Sequence, residues 1–262
     1  MSLFGLKLGI HEEELSRRAG ELWRDGRFDF LELYASTPID SSTVALWDWY
    51  DGKLVVHAPH SGSGFNFARR DMKESNFQTL HDLSAITERL APALVVFHPG
   101  LDGPMEEGLG QLAEMRRLYP ELHRIMLLEN KPRLGIHGEN CLGASPEEMR
   151  TLLESVGCGL CLDVRHAFAY ASWAGLDWRG VIDDFVSCNP LLWHAADGLV
   201  ADCVDSHLHI GAGDMPWREI AEWWSAADMI TLECVKRPEA LLADFLDDLA
   251  VLRRVMEPTG MP

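Results

Sequence analysis

Residues 145–166 read SPEEMRTLLESVGCGLCLDVRH, a stretch that passes from a helix into a strand and ends on acid and imidazole. Ser145 is a good N-cap, Pro146 suits the first helical position, and Glu147 and Glu148 put acids in the first turn. A helix is therefore expected over Pro146–Val156. Gly159–His166 follows as a short apolar run, continuous rather than alternating, as a strand buried on both faces requires. Asp163 and His166 interrupt it at its far end.

The same unit recurs on either side. Leu3–Ile10, Phe28–Ala35, Lys53–His60, Ala93–Gly100, Arg124–Lys131, Leu191–Gly198 and Met229–Lys236 are apolar runs, each followed by a polar or amphipathic stretch. Helical periodicity is also expected over Glu12–Asp25, Met105–Tyr119, Trp217–Ala226 and Pro238–Met256. Eight strand–helix alternations imply an α/β fold, a single-domain (β/α)8 TIM barrel spanning 1–262. An open doubly wound sheet is the alternative. No G-x-G-x-x-G follows the first strand, which counts against a dinucleotide fold.

With 262 residues, 47% of them hydrophobic, the chain can build a large core. No run of about 18 apolar residues is present, so no membrane span is expected. Met1–Ile10 is broken by Lys7 and followed by Glu12, Glu13 and Glu14, so it reads as a strand rather than a signal peptide. A cytoplasmic protein is expected. Six cysteines show no disulfide framework, and Cys158-Gly-Leu-Cys161 has no second C-x-x-C to complete a zinc tetrad, so these read as structural thiols. The formal charge of −18 favours solubility and opposes binding to nucleic acid or anionic membranes.

The chemistry gathers at strand ends. His57 closes Leu-Val-Val-His, His98 closes Val-Val-Phe-His, Glu129 closes Met-Leu-Leu-Glu, His194 closes Leu-Leu-Trp-His and Glu233 closes Ile-Thr-Leu-Glu. Singly, each has an ordinary reading: a hydrogen-bonded core histidine, a rim ion pair of Glu129 with Lys131 or Arg133, a cap at Asp163, a pair of Glu233 with Lys236. Six strands ending this way are different, because a buried unpaired carboxylate costs several kcal/mol and a shared cation compensates all of them together. Strand C-termini of such barrels converge on one mouth, where these enzymes place their sites.

Asp205-Ser-His207-Leu-His209-Ile-Gly211-Ala-Gly213 adds a chelating Asp-x-His, with glycines that permit a tight return. A plain glycine-rich turn is its simpler reading, and His209 is given a supporting role. His11, His60, His81, His123 and His137 are assigned to the surface or to the surroundings of the site. The metal-ligand candidates are thus His57, His98, Glu129, Asp163, His166, His194, Asp205, His207 and Glu233. Imidazole with carboxylate suits zinc or manganese, with room for cobalt or iron. Nine ligands exceed one ion's needs and imply two or three divalent ions, able to supply a nucleophilic hydroxide and clamp phosphate oxygens.

In this order the strings His57-Ala-Pro, His98-Pro-Gly, Leu128-Glu129-Asn130, Leu162-Asp163-Val-Arg-His166-Ala-Phe, His194-Ala-Ala-Asp197, Asp205-Ser-His207 and Leu232-Glu233 are familiar. The chain resembles the xylose-isomerase-like barrel superfamily and, within it, the endonuclease IV family of apurinic/apyrimidinic endonucleases. That resemblance implies a trinuclear zinc hydrolase acting on abasic DNA. His57 and His98 would hold one zinc, with Glu129 bridging to a second. Asp163, His194 and Glu233 would complete the second ion, and His166, Asp205 and His207 would hold the third. Glu129 would also orient the nucleophile. The polar aromatic segment by which that family contacts DNA has no counterpart in Ser36–Asp51, and Asn-Lys-Pro-Arg-Leu-Gly follows Glu129 where the family has a small glycine-rich turn. A small phosphate substrate is therefore an alternative to DNA.

Sugar and sugar-phosphate isomerases or epimerases of the same superfamily are also similar, at Glu129, Asp163, His194 and Glu233. That likeness implies one manganese, cobalt or magnesium ion, with Glu129 and Glu233 as the catalytic acid/base pair. Trp173, Trp193 and Trp217 would then be available to stack on a sugar ring. A barrel that binds metal or ligand without turnover is the third reading. The oligomeric state is left open.

Overall fold

The computed structural model describes residues 2–38, 40–225 and 228–257. Eight parallel strands close on themselves in chain order: β1 Leu3–Gly9, β2 Phe30–Tyr34, β3 Leu54–His57, β4 Leu94–Phe97, β5 Met126–Glu129, β6 Gly159–Asp163, β7 Leu192–Ala195 and β8 Met229–Leu232. Closure pairs Leu3 with Met229 and Leu6 with Leu232. The eight apolar runs all contain a strand, so the expected barrel is observed.

Side chains alternate between the barrel interior and the helical layer. Phe30, Val55, Val96, Leu127, Cys161, Leu192 and Met229 pack together as an apolar plug inside the barrel. At β1 the plug is completed from across the register: a Cβ on Gly5 would lie 2.3 Å from the ring of Phe30. The outward side chains, among them Leu6, Leu31, Val56, Phe97, Leu128, Leu162, Trp193 and Ile230, join a second and larger core under the helices.

Ten α-helices are described: α1 Glu13–Arg24, α2 Ser41–Ala45, α3 Lys73–Leu90, α4 Met105–Leu118, α5 Pro120–Arg124, α6 Pro146–Val156, α7 Val164–Ala174, α8 Trp178–Val186, α9 Trp217–Ile220 and α10 Ala243–Met256. The helix α6 begins as its sequence requires, with Ser145 Oγ accepting from the Glu148 amide at 3.1 Å and Gly157 in the left-handed region. Two helices differ from expectation. The Trp217–Ala226 segment gives one helical turn, then a 3-10 turn over Ala221–Trp223, and Ala226 lies outside the described residues. Pro238–Met256 splits into a 3-10 turn and α10, because Leu241 and Leu242 adopt positive φ between them. No helix among the described residues is long and apolar enough to cross a membrane.

Candidate metal centre

The plug positions the site. Two residues beyond each plug residue the next inward side chain is polar: Glu32 after Phe30, His57 after Val55, His98 after Val96, Glu129 after Leu127, Asp163 after Cys161 and His194 after Leu192. On β8 the sequence from Met229 gives Thr231 and then Glu233; on β1, Lys7 follows Gly5. Thus all eight strands contribute a polar side chain to one layer above the plug.

All nine expected ligands meet there, in linked groups. His57 Nε2 and His98 Nε2 lie 3.0 and 3.2 Å from Glu129 Oε2. His194 Nδ1 lies 2.9 Å from Glu233 Oε1 and 3.4 Å from Glu129 Oε2, beside Asp163 across the β6–β7 register. Asp205 Oδ2 sits between His207 Nε2 at 2.8 Å and His166 Nε2 at 3.3 Å. His166 Nδ1 is 3.2 Å from Glu129 Oε1, so Glu129 touches every group.

The histidines are oriented from behind. His57, His166 and His207 donate Nδ1–H to the carbonyls of Ala58, Asn130 and Glu233 at 2.8, 2.8 and 2.9 Å, which turns each Nε2 toward the centre. In His194 the roles reverse: Nε2–H donates to Glu32 Oε2 at 3.1 Å and Nδ1 faces in. Such partners fix the tautomer and raise the basicity of a ligand nitrogen. Asp163 caps α7 with one oxygen, Oδ1 accepting from the His166 amide at 2.7 Å. Its other oxygen, Oδ2, is buried without a hydrogen-bond donor, as is Asp205 Oδ1. Buried lone pairs converging without donors are costly unless something positive sits among them. The donor set therefore fits divalent cations, from the strand ends and from the Asp205–His207 loop alike.

Glu32 and Lys7 were not anticipated, and Lys131 was expected only as an ordinary ion-pair partner of Glu129. Glu32 lies wholly buried, accepts from Thr231 Oγ1 at 2.7 Å and pairs with Lys7 at 3.0 Å; Lys7 also pairs with Glu233. Burial opposes ionisation of Glu32, but His194 and Lys7 outweigh it and hold its pKa near 2. Lys131 places its ammonium 3.3 Å from Glu129 Oε1. Burial also works against the charges of Glu129 and Glu233, yet Lys131 beside the first, and His194 and Lys7 around the second, keep both well below the usual carboxylate range. Burial and Lys131 keep His98 neutral, whereas Asp163 and Asp205 outweigh burial at His166 and push it up to about 10.

The loop that delivers Asp205 and His207 is tied down from within. Arg165 is fully buried and donates to the carbonyls of Asp202 and Val204 at 3.0 and 2.7 Å. Asp197 accepts from the amides of Gly198 and Gly211 at 2.8 and 2.6 Å. Gly213 must be glycine, since a Cβ there would lie 2.1 Å from the Gly198 carbonyl. His209 turns away and pairs with Asp248 of α10 at 2.9 Å, a supporting position.

A cavity of about 830 Å³ opens above the centre, lined in part by Tyr34, His60, Arg69, Lys131, His207 and Lys236. The three tryptophans held available for a sugar ring do not line it. Trp193 and Trp217 are buried, Trp193 on the outward face of β7 against Trp224, and Trp173 lies outside under Arg133. Period-two alternation decides this: His194 faces in, so Trp193 faces out. All six cysteines are free. Cys161 belongs to the plug, its Sγ grouped with Glu129 and His194, and burial lifts its thiol to about 12.

Fold and site together define a (β/α)8 barrel with a carboxylate–histidine centre at the C-terminal mouth of its strands. Residues 21–255 match the family described as xylose isomerase-like TIM barrel, and the chain belongs to that family. A protein named probable endonuclease 4 from Thermoplasma volcanium is 27% identical over 119 residues. That match covers 44% of this chain and 39% of the relative. Among solved structures, endonuclease IV from Thermus thermophilus shares a TM-score of 0.74 at 22% identity, covering 97% of this chain and 99% of that one. A putative xylose isomerase from Rhodospirillum rubrum reaches 0.75 at 13% identity, with the same coverage of both chains. At these identities the two structures share the fold.

Proposed function

We propose that the barrel mouth holds two or more divalent ions, for which zinc suits the donors best, and that it hydrolyses a phosphate ester of a small, sugar-like substrate. One observation carries this reading. The His166–Asp205–His207 group stands beside Asp163 and Glu129, His194 reaches Glu129 and Glu233, and His57 with His98 forms a further group on Glu129. A single ion needs only three or four such ligands. When bound, ions in such a centre lower the pKa of water and clamp phosphate oxygens.

The chain's own groups supply the rest. Glu129, in reach of every ligand group, orients the attacking water and accepts its proton; Glu233 holds the far side. Lys236 gives the cavity wall a positive charge to meet a phosphate. Lys236 donates to the carbonyls of Leu232 and Cys234, both at 3.1 Å, rather than to a carboxylate. A cavity of about 830 Å³ suits a small molecule, and the charge of −18 opposes a duplex. Abasic DNA therefore ranks behind a small phosphate ester.

A second reading is a one-metal isomerase or epimerase of sugars. It draws support from the same cavity size and from the self-sufficient Glu129–Asp163–His194–Glu233 group. Zinc-reconstituted protein should release p-nitrophenol from p-nitrophenyl or bis-p-nitrophenyl phosphate, and Glu129→Gln should reduce that rate about 10²–10⁴-fold. Interconversion of ketohexoses with manganese, and no phosphate-ester cleavage, would replace the hydrolase by the isomerase.

A further inference from the structure

Lys131 is placed unlike a cavity-wall lysine. Its Nζ lies 3.3 Å from Glu129 Oε1, 3.4 Å from His98 Nε2 and 3.4 Å from His166 Nε2. An ammonium has three N–H donors, and here three ligand atoms surround it. These atoms belong to different groups: His98 to the pair on β3–β4, His166 to the Asp205–His207 set, and Glu129 to both.

The backbone holds it there. Asn130, just before it, is locked to Asp163 in both directions, its Nδ2 donating to the Asp163 carbonyl at 3.0 Å and its Oδ1 accepting the Asp163 amide at 2.7 Å. The Lys131 amide donates to the Gly143 carbonyl, and Pro132 fixes the next φ. Only 16% of the side chain is exposed.

We propose that Lys131 is a resident cation that takes the place of one ion, so that the centre binds two metal ions and not three. The inference rests on the multi-ion reading above. The ammonium lies against atoms that an ion at His57–His98–Glu129 and an ion at His166–Asp205–His207 would both need, and its charge repels each of them. The Asp163–His194–Glu233 side does not touch it and keeps its ion. One of the two outer positions is filled, and Lys131 supplies the positive charge of the other.

The test is zinc per chain by mass spectrometry, on wild type and on Lys131→Met after saturation and gel filtration. Two in the wild type and three in Lys131→Met is the expected result, with Lys131→Gln measured alongside in case the methionine variant does not fold. Three zinc in the wild type overturns the inference and leaves the multi-ion centre standing. Two in wild type and in both variants also overturns it. One or none in every protein overturns the multi-ion centre itself, and the inference with it.

Discussion

Glu32 shows what a single residue does at this site. It sits in the middle of Phe-Leu-Glu-Leu-Tyr on β2, accepts from His194 Nε2 and Thr231 Oγ1, forms an ion pair with Lys7, and never reaches the cavity. Its effect passes through His194, whose Nδ1 it aims at Glu233 and Glu129. Glu32→Gln should therefore weaken zinc binding about 10–100-fold while leaving the fold intact. Titration against a chromophoric chelator checks this; unchanged affinity would show that His194 needs no such orientation. Sequence reading found the nine residues at strand ends and at Asp205–His207, because acid or imidazole stands out where an apolar run stops. It missed Glu32 and Lys7 because both lie inside their runs. Strands of a closed barrel are staggered, so one layer of side chains falls at the end of β5 but mid-strand on β1 and β2. Lys131 was visible only as a rim partner of Glu129, since the turn that points it inward depends on Asn130 gripping β6.

At the scale of elements, the loop between β7 and α9 matters most. It carries two expected ligands yet has almost no regular structure, and depends on Arg165 and Asp197 for its shape. Arg165→Met removes donors from two carbonyls in a buried place, which should cost at least about 2 kcal/mol. For a chain of this size that is roughly 4–8 °C in melting temperature, measurable by calorimetry on metal-free protein. The same variant should bind zinc less tightly at the His166–Asp205–His207 group. An unchanged melting point would mean that the loop is held elsewhere. In the plug, Phe30→Ala should cost about 3–5 kcal/mol, because the ring fills the space left by Gly5. Helix α6 was legible from Ser145 and Pro146, which are local signals. The shortness of α9 and the break before α10 were not, because apolar residues at helical spacing also serve irregular segments packed on a core, as Trp217 and Trp224 do here.

Over the whole molecule the formal charge is −18. Lys7, Lys131 and Lys236 all line the one mouth into which Glu129, Asp205 and Glu233 project. A chain of this charge disfavours a long polyanion, because phosphates beyond the cavity would meet like charge. Duplex DNA with an abasic site should give no mobility shift at about 0.15 M salt, whereas inorganic phosphate should bind the zinc-loaded protein in a calorimeter; tight retention of the duplex would reverse that ranking. Several ions sharing one layer of ligands should each scatter separately. Anomalous diffraction at the zinc edge from zinc-loaded crystals tests this most directly. Two peaks are expected, one among Glu129, Asp163, His194 and Glu233 and another on an outer histidine group; a single peak at the first position, or none, would contradict the account.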